Sequence, residues 1–185
     1  MSDKSVLTRE MFTSRSEEWE TPNYVIEALS PEFKFVLDVC ADESNNKAEY
    51  FYTKEMDSLT RDWQEDVECL AFDVRPRSEC DNWAIWCNPP YGREISKWMQ
   101  KAYLEGQSGL YPVVCLVHAR TDTRWFHDWA MKADEIRLIK GRIKFGDGKN
   151  SAPFPSCLVI FRSFFGKVNR GNVPSFSSIR FEASK

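Results

Sequence analysis

"WAIWCNPPYGREISKWMQKAYLEG", residues 83–106, passes from one periodicity to another around a rigid corner. Residues 83–87 form a short continuous apolar run of strand length, whereas residues 93–106 put Ile95, Trp98, Met99 and Ala102 on one face of a helix. Between them stand Asn88, Pro89, Pro90 and Tyr91. Proline fixes its own φ, lacks an N–H and pushes the preceding residue toward extended geometry, so Asn88 and Pro89 are held extended with their carbonyls turned outward. A strand that runs through such a corner directly into a helix is half of a parallel crossover.

The same alternation continues on either side. Apolar, β-branched runs at 33–41, 67–74, 111–119, 135–139 and 156–162 have strand length, and 22–29 and 121–133 carry helical spacing, the latter through Trp125, Phe126, Trp129 and Ala130. The order predicts an α/β domain whose mostly parallel sheet is covered by helices on both faces. Thr21 followed by Pro22 is a helix-start signal, as are Thr121, Asp122 and Thr123. No helix separates the last two strand runs, and residues 141–156 are rich in turn formers, which predicts an antiparallel hairpin at the C-terminal end of the sheet. Residues 1–162 are expected to form one domain, and the Ser-rich residues 163–185 a loosely held tail.

Composition narrows the function classes. No apolar run reaches the length of a membrane span, and the N-terminus lacks a basic segment followed by an apolar core, so a cytoplasmic protein is the expectation. Six cysteines are scattered without a C-x-x-C pair, and only two histidines accompany them, which argues against a metal site. Cys40, Cys87, Cys115 and Cys157 sit in apolar runs as small core residues. The net charge of −3 hides an asymmetry: residues 1–136 carry 15 Lys and Arg against 26 Asp and Glu, and residues 137–185 carry 10 against 2. A basic face on an acidic body suits contact with nucleic-acid phosphates, and a solvated basic tail gives the same count.

In an open α/β sheet, ligands collect beyond the carboxyl ends of the strands, where residues 88–91 lie. The Asn88 side-chain oxygen and the Pro89 carbonyl form a preset pair of acceptors suited to a planar exocyclic amine, with the flat Tyr91 ring beside them. Gripping both amine hydrogens favours the pyramidal, nucleophilic nitrogen that develops as it attacks a methyl group. Asparagine is no base at neutral pH, so the proton leaves after transfer.

Seven ordered elements, "EWETP" (18–22), "LDVCADESNNKAEYFYT" (37–53), "DSLTRDW" (57–63), "NPPYG" (88–92), "ARTDTRWF" (119–126), "GRIKF" (141–145) and "APFPS" (152–156), resemble the Dam-like DNA N6-adenine methyltransferases of phages and prophages. The resemblance implies a Rossmann-like S-adenosylmethionine-dependent methyltransferase fold, S-adenosylmethionine as methyl donor, and adenine in double-stranded DNA, flipped from the duplex, as acceptor. It implies that Asn88, Pro89, Pro90 and Tyr91 are catalytic, and that Trp19, Thr21, Pro22, Asp38, Cys40, Asp42, Asp57 and Asn88 surround the donor. Arg120, Arg124, Arg142, Lys144 and Lys149 become the expected DNA contacts, with Pro153, Phe154 and Pro155 as a rigid wall. Asp73, in a longer connection than the family has, is a further ribose candidate. The chain departs from the broad fold in lacking a Gly-x-Gly loop, so "ADESNN" (41–46) must build the turn after the first strand without glycine.

Two other readings stay open at the level of sequence. The corner reads an amine and not its carrier, so an RNA base or a protein glutamine also fits. The missing glycine loop leaves room for a non-catalytic nucleic-acid binding module of the same fold. No oligomeric state is assigned.

Overall fold

The computed structural model describes residues 19–72, 76–146, 151–162 and 173–181. In chain order the elements are α1 (Asn23–Leu29), β1 (Lys34–Asp38), β2 (Tyr50–Phe51), α2 (Trp63–Ala71), β3 (Trp83–Cys87), α3 (Ile95–Ser108), β4 (Val113–His118), α4 (Arg124–Asp128), β5 (Glu135–Ile139), β6 (Ser156–Phe161) and β7 (Ser175–Ile179). The strands form one seven-stranded sheet in the order β2-β1-β3-β4-β6-β5-β7, in which β6 alone runs antiparallel to its neighbours. The carboxyl ends of β1, β3, β4 and β5 therefore share one edge with the start of β6.

Every residue of β3 and β6 is buried, as expected of central strands covered on both faces. Their side chains alternate between two cores. Ile85, Cys87, Val113, Cys115 and Val159 face α2, α3 and α4, while Ala84, Trp86, Val114, Leu116 and Ile160 face α1 and the segment carrying Ile143 and Phe145. Helix α3 lies close enough to β6 that a Cβ added at Gly106 would run into the Phe161 Cβ, so glycine here is a packing requirement.

The strand expected at 67–74 is replaced by α2, and the sequence holds the reason. The Asp62 carboxylate accepts from the backbone N–H groups of Gln64 and Glu65 at 3.1 and 2.9 Å, which caps a helix. Trp63, Val67 and Ala71, all buried, fall on one helical face. Asp73 lies outside the described residues. At 121–133 the helix is shorter than its apolar spacing suggests: α4 stops at Asp128, Trp129 leaves helical geometry, and a 3₁₀ turn follows at Ala130–Lys132.

Neither Thr21 nor Thr123 makes a side-chain capping bond. Pro22 itself holds the N-cap position of α1, and Thr123 Oγ1 donates back to the Arg120 carbonyl at 2.7 Å. The antiparallel β5–β6 pair lies where the turn-rich spacing put it, but the outer edge belongs to β7, which pairs parallel with β5 from within the segment read as a tail. Serine-rich and exposed along most of its length, β7 has no apolar alternation that would have revealed it.

Candidate functional site

A cavity of about 1090 Å³ opens at the carboxyl edge of the sheet, between the turn after β1, the corner after β3 and the segment before α1. Its floor is set by Asp38, the last residue of β1. One carboxylate oxygen accepts the Cys40 N–H at 3.1 Å and the other the Lys47 N–H at 3.0 Å, so the side chain fastens both ends of the turn. Burial pushes the Asp38 carboxyl up to about 6, against the pull of those two backbone donors and of the Lys47 charge.

Asp42 builds the glycine-free turn. Its Oδ1 accepts from Ser44 N, Ser44 Oγ and Asn45 N at 2.7, 2.6 and 3.1 Å, and the Asn45 side chain bonds back to both the carboxylate and the backbone N–H of Asp42. Those donors, the Ser44 hydroxyl first, hold the Asp42 carboxyl below its ordinary value. An Asx-type turn thus does the work of the missing glycines.

At the corner, the Asn88 side-chain nitrogen donates to the Trp19 backbone carbonyl. Only the NH₂ end of an amide can do this, so the orientation of the side chain is determined, and Oδ1 is left buried without a hydrogen-bond partner. Thr21 Oγ1 and Ser58 Oγ are also buried and unpartnered, and both residues line the same cavity. Trp86 Nε1 is a fourth such atom on a lining residue, and because buried polar atoms are almost always paired, this grouping around one cavity points to a polar ligand. Asp57 adds an outlier: it is the non-glycine residue with positive φ (46°) among the described residues, set between two 3₁₀ turns on the cavity wall.

Of the residues expected at the site, Trp19, Thr21, Asp38, Cys40, Asp42, Asp57, Asn88, Pro89 and Pro90 line this cavity. Pro22 does not, because it is occupied in starting α1. Tyr91 also stands outside it. Its hydroxyl donates to the Leu116 carbonyl at 3.0 Å and its ring stacks on His118 at 5.0 Å, with edge contacts to Phe145 and Phe154. Burial raises the Tyr91 hydroxyl well above its ordinary value and draws His118 down to about 4, so the imidazole beside the corner is neutral. Sequence reasoning missed Ser58, Lys47 and Trp98 as lining residues. Ser58 was readable as the neighbour of Asp57; Lys47 and Trp98 come from a loop and a helix face whose approach no local pattern encodes.

The basic residues divide between the two edges. Arg120 and Arg124 follow β4 on the cavity's edge, both exposed, with Arg120 4.0 Å from Asp122 and Arg124 3.1 Å from Asp128. Arg142 and Lys144 follow β5 on that edge and point to solvent, while Ile143 and Phe145 between them are buried. This segment is pinned by the Ala152 N–H donating to the Ile143 carbonyl at 2.8 Å and the Gly146 N–H donating to the Glu20 carbonyl at 3.0 Å. Phe154, one of the three residues expected to form a wall, packs edge-on against Trp19 and Tyr91. Lys149 lies outside the described residues. Arg137 and Arg162 are at the opposite edge, bonded to Glu32 and Glu135. Part of the basic excess is thus structural.

Comparison with known proteins gives this geometry a context. Residues 9–179 match the family model described as DNA N-6-adenine-methyltransferase (Dam). The chain is 30% identical over 151 residues to the DNA N-6-adenine-methyltransferase of Haemophilus phage HP1 (strain HP1c1), covering 77% of each. It is 28% identical over 155 residues to the DNA N-6-adenine-methyltransferase of Escherichia phage T1, spanning 83% of this chain and 58% of that relative. Among solved structures, a predicted O-methyltransferase from Agrobacterium tumefaciens aligns over 80% of this chain and 79% of its own, at 16% identity and a TM-score of 0.38.

Proposed function

The chain belongs to the DNA N-6-adenine-methyltransferase (Dam) family, and from that premise we propose how its carboxyl-edge cavity and Asn88 corner transfer a methyl group to the N6 amine of adenine in DNA. Methyl transfer requires a donor, and S-adenosylmethionine is the donor proposed here. It supplies a methyl group made electrophilic by a positively charged sulfur. The residues present fit it: the cavity has room for a nucleoside with an amino-acid arm, Thr21 Oγ1 and Ser58 Oγ offer unpaired hydroxyls, and Asp38 and Asp57 offer carboxylates.

Asn88 Oδ1 and the Pro89 carbonyl accept the two amine hydrogens of the target adenine. The observation that carries this is the Asn88 side chain itself, whose nitrogen is held by the Trp19 carbonyl while its buried oxygen has no partner. An acceptor fixed before the substrate arrives costs no reorganisation during the reaction. As the nitrogen–carbon bond forms, the amine gives up one proton to solvent, and no side-chain base is needed. Tyr91, beside the corner with its plane preset by the Leu116 bond, stacks on the flipped base. Arg120, Arg124, Arg142 and Lys144 hold the phosphates of double-stranded DNA on the same edge.

The test is labelled donor and a defined duplex, digested to nucleosides after reaction. The reading predicts label in N6-methyladenine from the wild type. It also predicts that Tyr91→Ala raises KM for DNA about tenfold or more, as loss of one base-stacking contact does. Unchanged parameters for Tyr91→Ala would remove the tyrosine from the base site.

A further inference from the structure

The cavity carries a charge pattern that neither the shape of the donor nor the grip on adenine requires. Seven carboxylate residues line it (Glu20, Asp38, Asp42, Glu43, Glu55, Asp57 and Glu94), against two lysines, Lys47 and Lys54. Glu20 is 3.5 Å from Lys47, and Glu94 is paired with Lys97, which leaves the acids after β1 and around Asp57 as the unbalanced group. Apart from buried Asp38 these acids are exposed, and they ring the mouth of a ligand site, because Thr21 and Ser58, 2% and 4% exposed, present unpaired hydroxyls from the same lining.

We infer that the acidic lining makes this cavity discriminate by charge, holding cationic S-adenosylmethionine more tightly than the neutral S-adenosylhomocysteine left after transfer. The inference rests on the donor reading above. During transfer the sulfur–carbon bond breaks, a nitrogen–carbon bond forms at N6, and the amine's proton leaves for solvent. The cavity thereby loses one positive charge while keeping its carboxylates. The turnover step itself weakens the attraction for the spent molecule, which favours its release. The same field disfavours phosphates inside the cavity, so the DNA backbone is left to the basic edge formed by Arg120, Arg142 and Lys144.

Each carboxylate acts over several ångströms through partly solvated space, so the individual effects are small and salt-sensitive, and their sum is what is measurable. Calorimetry on the full chain would use three probes: S-adenosylmethionine, S-adenosylhomocysteine, and the amine-bearing analogue sinefungin, which is cationic but cannot donate a methyl. In low salt both cations should bind about tenfold more tightly than the neutral product, and the ratio should fall toward about two in 0.5 M salt, where the screening length is only a few ångströms. The variant carrying Glu43→Gln, Glu55→Gln and Asp57→Asn should bring the ratio close to one, and Glu43→Gln with Glu55→Gln, which leaves Asp57 in place, should lower the ratio while moving the neutral product's Kd less than about twofold; asparagine is chosen at 57 because it tolerates the positive φ there.

Equal affinity for donor and product in the wild type at low salt, or an unchanged ratio in the triple variant, would overturn the inference and leave the donor site standing. If the triple variant bound nothing, Glu43→Gln with Glu55→Gln, both exposed positions, decides, and an unchanged ratio there would also overturn it. A wild-type protein that binds none of the three probes would sink the donor reading, and this inference with it.

Discussion

Asn88 owes its orientation to a neighbour 69 positions away in sequence: the Trp19 carbonyl takes its nitrogen and so presents its oxygen. The corner was legible because proline rigidity and position at a strand end are local properties, whereas the bond from Trp19 is not. Tyr91 was legible as a ring at the corner, but its attachment to Leu116 and its stack on His118 come from strand β4, which the local motif does not mention. Asp38 makes a prediction at this scale. Burial beside Cys40 and Cys87 raises its carboxyl to about 6, with Lys47 the nearby cation, so the carboxylate protonates as the pH falls through that value. Affinity for the cationic donor should therefore drop between about pH 7 and pH 5, while Asp38→Asn should show a flat, weaker profile over that range. Donor titrations at a series of pH values check this.

Elements obey shorter-range rules and are correspondingly easier to read. Strands β3 and β6 begin and end within a residue of their apolar runs, because a central strand covered on both faces is written as a nearly uninterrupted apolar segment. Helix α2 was misread because its apolar residues Leu70 and Ala71 run into Phe72 and mimic a strand, while the Asp62 cap and the Trp63, Val67 and Ala71 stripe carry the truer signal. Asp62→Ala should lower stability by about 1 kcal/mol, the usual loss for a helix cap, read from the denaturant midpoint. The contact of α3 with β6 is more demanding. Gly106→Ala gains helix propensity of about 1 kcal/mol, but its Cβ would meet Phe161, and a net loss of about 1–3 kcal/mol from overpacking is expected by the same measurement.

Across the whole molecule, charge is sorted to the two edges of the sheet. At the amino edge, Arg137 and Arg162 lie over the Phe33 ring and bind Glu32 and Glu135, and hydrogen bonding from Arg137 first, then Arg162, draws Glu135 down to about 2. A carboxylate depressed in the folded state stabilises above its unfolded value, and that stability is lost as the pH falls toward the folded one. His118, lowered to about 4, also loses stability on acidification below about 6.5, while Asp38, raised to about 6, gains it between about 6 and 4. The two oppose each other, so thermal melts should be nearly flat from pH 6 to 4.5 and fall steeply below, where Glu135 and Glu32 titrate; Glu135→Gln should blunt that fall. Such sorting was only half visible in the sequence, where the C-terminal third reads as uniformly basic. The carboxyl edge keeps the cavity, the Asn88 corner and the exposed Arg120, Arg124, Arg142 and Lys144 together, so the site proposed for methylation draws on the fold as well as on the motif. The most direct test is single-turnover methylation of a defined duplex by Asn88→Ala, with donor binding measured in parallel. A clamp built on Asn88 requires the transfer rate to fall about 10²-fold or more, the usual loss for a fixed hydrogen-bonding group acting in the transition state, while the protein stays folded and still binds donor; transfer at the wild-type rate would rule the clamp out.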